Sequence, residues 1–130
     1  MSDLEKVLPG VYVELGGKKR RILFNWFAVG RLELEGGEAF IEKALKKMTP
    51  ARLFLLLWAG LVWDERGLDG PTPEQRLEGQ RQVTQWCEGD VDFSALAESV
   101  CKALAHSSPA KAMERKNSPG EKEASQEPTG

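Results

Sequence analysis

"RLFLLLWAGLVW", residues 52–63, is the stretch on which the fold turns. No ionisable group interrupts it from Leu53 to Trp63, and Asp64-Glu65-Arg66 ends it. A membrane-spanning helix needs roughly 17–25 apolar residues, so this run is too short to cross and must be core or interface. On a helix, Phe54, Leu57, Trp58 and Leu61 form one stripe, while Leu55, Leu56, Ala59 and Trp63 lie on the opposite side beside Gly60. Both sides are apolar, which predicts a helix surrounded by other structure. Ala59 and Gly60 leave a shallow place where another backbone can approach. The expectation is core first and interface second, with Leu55, Ala59 and Trp63 as the candidate contacts to a partner or a second copy.

The neighbouring elements follow from their punctuation. Thr49-Pro50 supplies an N-cap and a proline at the first helical position for the central helix. Before it, Asn25 can cap a helix over about 26–35 that Gly36-Gly37 terminates, and a second helix covers about 38–47 with Phe40, Ile41, Ala44 and Leu45 on one side. After it, Thr72-Pro73-Glu74-Gln75 is a capping-box arrangement opening a polar helix to about Cys87. Asp92 can cap a last helix over about 93–105, with Phe93, Leu96, Ala97, Val100, Cys101 and Leu104 on one face. At the start, Val11, Val13 and Leu15 alternate with Tyr12 and Glu14. Gly16-Gly17 is a favoured hairpin turn, and Lys19–Phe24 returns as the second strand. The predicted fold class is α+β, mostly helical: an N-terminal β-hairpin followed by four helices and a disordered C-terminal tail. The expected domain is 1–106. Residues 107–130, rich in Ser, Pro, Glu and Lys and without an aromatic residue, cannot bury enough surface to offset their ordering entropy.

Composition narrows the function classes. The chain has 130 residues, 41% of them hydrophobic, and a net charge of −2, which argues against a general polyanion binder. Residues 1–10 carry no charged-then-apolar leader, so no secretory signal is expected. Two cysteines, Cys87 and Cys101, suit a reducing compartment better than a disulfide scaffold.

Reactive groups are sparse. His106, the one histidine, falls where the last helix meets the tail, a poor place for a catalytic pair. Two distant cysteines and one histidine lack the close spacing of a zinc site. Glu33, Glu35 and Glu38 cluster at the Gly-Gly break, but Glu33 and Glu35 point to different helical faces. "ELGGKKRR" lacks the spacing of a phosphate loop. Lys18-Lys19-Arg20-Arg21 could grip phosphates, although a solvated turn and strand edge explains the run more simply; Arg20 and Arg21 join Leu55, Ala59 and Trp63 as candidate partner or self-association contacts. No catalytic residue, metal or cofactor is expected.

Two stretches carry a resemblance. "RILFNWFAVGRLELEGG" resembles the strand-to-helix segment of phage tail assembly chaperones, including gene-transfer-agent relatives, with Asn25, Ala28, Leu32 and Glu33 filling the patterned places. "RLFLLLWAGL" is similar to that family's core helix, through Leu56, Leu57, Trp58, Ala59, Gly60 and Leu61. The order of a small β element, a helical body and a polar tail agrees over about residues 11–105. After Arg66 the chain departs from the pattern, being longer and more polar. The resemblance implies a non-enzymatic protein of the host cytoplasm that binds the tape-measure protein, helps recruit tail-tube subunits, self-associates on assembly and is absent from the mature virion. The alternative is a small nucleic-acid-binding regulator using the basic hairpin. Neither reading involves a small-molecule substrate or a membrane.

Overall fold

The computed structural model describes residues 10–89, 91–107 and 109. Strands β1 (Val11–Leu15) and β2 (Lys18–Ile22) pair antiparallel, from Leu15 opposite Lys18 at the turn to Val11 opposite Ile22. Gly16 and Gly17 close the turn with φ of 60° and 75°, values that a side chain would strain. Five α-helices follow, one at each of the five segments that the sequence punctuation marks, so the expected total of four is one short: α1 (Trp26–Gly36), α2 (Phe40–Lys46), α3 (Pro50–Leu61), α4 (Pro73–Trp86) and α5 (Phe93–Ala105), with a 3₁₀ turn at Arg66–Leu68. The two short helices α1 and α2 are separate because Gly37 turns at φ 93° and Ala39 sits left-handed at φ 60° between them. That break also starts α2 two residues later than its sequence pattern suggests.

The caps act as their residue types require. The Asn25 side chain accepts from Ala28 N at 2.9 Å, Thr49 from Arg52 N at 3.3 Å, and Asp92 from Ser94 N at 2.9 Å. Thr72 and Gln75 exchange backbone-to-side-chain bonds in a capping box. Each satisfies amide groups that a helix start leaves open.

Helix α3 is the centre of the molecule, touching α1, α2, α4, α5 and β2. Leu53 and all of Leu56–Leu61 are buried, whereas Phe54 and Leu55 are only partly covered. The C-terminal half of α3 is thus wrapped on every side and the N-terminal half is not. The indole N–H of Trp58 donates to the Leu68 carbonyl at 2.8 Å, so this enclosed ring has its polar atom satisfied. The close approach expected at Gly60 is made by the chain's own hairpin exit: Leu23 N donates to Gly60 O at 2.7 Å. A Cβ at Gly60 would lie 2.6 Å from Ile22 Cγ2.

Two expected faces are less buried than their patterns suggest. Phe93 and Leu45 are exposed, and Cys101 is only half-buried, because α5 and α2 cover the core with their inner residues alone. Of the described residues, no helix is long and apolar enough to cross a membrane. The tail reading of 107–130 falls, beyond Ser107 and Pro109, outside the described residues.

Candidate functional site

Where α1 begins and α3 ends, the surface is aromatic and cationic. Asn25 caps α1 and Ala28 and Leu32 turn inward, so the first residues of the helix face away from the core. Trp26 is 58% exposed and Phe27 39%. Two residues past the end of α3, Trp63 is 40% exposed, and its ring meets Phe27 edge-to-face with centroids 5.6 Å apart. Each ring carries a guanidinium: Arg31 lies over Phe27 at 4.8 Å and Arg66 over Trp63 at 5.2 Å. Behind them is a cleft of about 360 Å³, completed by Val62, Asp69, Gly70 and Pro71. Asp69 Oδ2 accepts from Arg31 Nη2 at 2.9 Å, while its buried Oδ1 has no hydrogen-bond partner among the described residues.

The residues singled out from sequence are divided by the structure. Trp63 belongs to this surface. Ala59, on the same predicted face, is 0% exposed and enclosed by the chain itself. Leu55 is half-buried and lines, with Phe54 and Leu77, a separate apolar groove of about 450 Å³ between α3 and α4.

The basic run splits in two. Lys18 and Lys19 are exposed. Arg20 is buried; its guanidinium stacks on Trp86 at 3.6 Å, donates to Leu15 O at 2.9 Å and reaches the Glu65 carboxylate at 2.6 Å. Arg21 pairs with Asp64 at 2.8 Å, and that hydrogen bond pushes its pKa up. The acids that end the apolar run therefore serve the arginines of the hairpin.

Among the acids at the Gly-Gly break, Glu35 is held by Arg76 at 2.7 Å and Gln80 at 3.1 Å. Glu33 and Glu38 stay exposed beside a small apolar cleft. No group of three His, Cys, Asp or Glu side chains is placed to hold a metal among the described residues. Burial raises the pKa of the half-buried Cys87 thiol, which disfavours the reactive thiolate.

Phe27, Arg31 and Arg66 escaped the sequence reading. Their signal was spacing: Phe27 with Arg31 at i,i+4 on α1, and Trp63 with Arg66 three residues apart just past the end of α3. Comparison with protein-family models, curated proteins and solved structures finds no match.

Proposed function

We propose that this chain is a non-enzymatic phage tail assembly chaperone. It binds the tape-measure protein and helps recruit tail-tube subunits during morphogenesis in the host cytoplasm. The observation that carries this reading is the exposed Phe27–Trp63 pair with its two guanidinium groups. Aromatic residues and arginine dominate the binding energy of protein interfaces, and they do so around clefts that a partner can desolvate. A long apolar-striped helix needs such a cover to stay soluble before it is packaged. The residues behind the family resemblance support a different part of the reading. Asn25 is a cap, and Ala28, Leu32 and Leu56–Leu61 are buried. They speak for a shared packing of α1 on α3, which holds the aromatic surface in place. Arg20 and Arg21, committed to Glu65 and Asp64, leave the nucleic-acid alternative only Lys18 and Lys19 on the turn.

The test is co-expression with the tape-measure protein encoded in the same genome. The wild-type chain should keep it soluble and co-purify with it, and a Phe27→Ala/Trp63→Ala double variant should do neither while keeping its circular dichroism. Complex formation should persist as salt rises, whereas polyanion binding would weaken steeply. A tape-measure protein that stays insoluble beside the wild-type chain would overturn the proposal.

A further inference from the structure

Among the described residues, six arginines have an acceptor. Arg20, Arg21, Arg31 and Arg76 reach Glu65, Asp64, Asp69 and Glu35; Arg81 reaches Glu78; Arg52 donates to Lys47 O at 2.8 Å. Arg66 is the exception, an exposed guanidinium held only against the face of Trp63. A partner laid across the face of Trp63 that Arg66 occupies also covers the guanidinium. A guanidinium buried under apolar atoms alone is costly, and one given a carboxylate gains a charge-assisted, planar pair.

We infer that Arg66 selects the occupant of this surface: a partner helix whose apolar stripe is flanked by an Asp or Glu one turn away. This rests on the tape-measure reading of the same surface and adds to it a rule for which segment binds. The geometry favours a helix. The two rings are 5.6 Å apart and the guanidinium lies 5.2 Å from the Trp63 ring, so an occupant that presents apolar and anionic groups at a similar spacing meets both at once. Residues i and i+3 or i+4 of a helix are about 5–6 Å apart. Same-face neighbours of an extended strand, two residues of about 3.3 Å rise apart, are farther separated.

The experiment uses the full chain and overlapping peptides of about 20 residues tiling the tape-measure protein of the same genome, with binding read by fluorescence anisotropy. The segments that bind should be helical and carry an acid beside the apolar stripe. Changing that acid to Lys should weaken binding to the wild-type chain at least about tenfold, the lower end for a close interfacial charge pair. Arg66→Glu should reverse the preference, and Arg66→Gln should abolish it without unfolding the chain, since Arg66 ties no elements together. Binding indifferent to the acid and to both Arg66 variants would sink the charge rule while leaving the tape-measure reading intact. Absence of binding by every peptide would sink both.

Discussion

Gly79 lies inside α4, where a Cβ would overlap the Leu68 carbonyl, the same oxygen that accepts from Trp58. Gly30 lies inside α1 with nothing within 4 Å of the place a Cβ would occupy. Alanine should therefore act in opposite directions at the two sites. Gly30→Ala should gain roughly 0.5–1 kcal/mol through chain entropy. Gly79→Ala should lose about 1–3 kcal/mol, as overpacking does, despite the better propensity. Urea midpoints of the two variants check both signs, and a stabilised Gly79→Ala would mean that α4 can slide off the 3₁₀ turn. Trp58→Ala should be worse, about 3–5 kcal/mol, because it empties an enclosed site and leaves the Leu68 carbonyl unpaired. Cys87 offers a pH test. Its folded pKa is raised by burial, so its contribution is fully present below the thiol's unfolded pKa and is lost as pH rises through the folded one. The stability difference between wild type and Cys87→Ala should be flat from pH 6 to about 8 and shrink at higher pH, near and above the ordinary thiol pKa of about 8.5.

At the scale of elements, what was legible in the sequence was punctuation. Asn25, Thr49, Thr72 and Asp92 all cap helices, and Gly16-Gly17 turns the hairpin, because these residues solve local hydrogen-bonding and φ problems within three or four positions. Contacts that join distant segments were not legible. Nothing near Arg20 announces that Glu65 will meet it 45 residues on, and nothing in "EGQRQ" distinguishes Gly79 from a weak helix residue. The aromatic surface fell between these cases: each ring and its arginine were one turn apart, but their meeting depends on α1 packing against the end of α3. The hairpin pair makes a quantitative test. Glu65→Ala should cost about 1.5–3 kcal/mol, the range for hydrogen bonds to charged groups, since it strands a buried guanidinium between Trp86 and Leu15. Lys19→Ala, on the exposed half of the same run, should stay within about 0.5 kcal/mol. Thermal melts of both would separate a tied strand from a decorated one; equal costs would mean that the ion pair is replaced by water.

Across the whole molecule, the apolar stretch 53–63 is not one surface: it is enclosed over Leu56–Val62 and open at Trp63. Ala59 is 0% exposed, on a helix packed against α1, α2, α4, α5 and β2, with nothing left for a partner. Four residues later Trp63 has left the helix, and its ring stands with Phe27 at the surface. A carboxylate tests the two ends in the same way with opposite consequences. In Ala59→Glu the charge has no water and no partner within a close-packed site, so the monomer itself should unfold, visible as loss of helical circular dichroism. In Trp63→Glu the charge reaches solvent beside Arg66, so the fold should hold, with a change in stability under about 1 kcal/mol, while capture of the tape-measure protein is lost. Both variants folding would place Ala59 on an interface and make the core thinner than its burial indicates. Both unfolding would make Trp63 a structural residue and remove the aromatic surface as a binding site. Only the split outcome, unfolding at Ala59 and loss of binding at Trp63, agrees with one helix whose C-terminal half closes the core and which opens a partner site beyond its end.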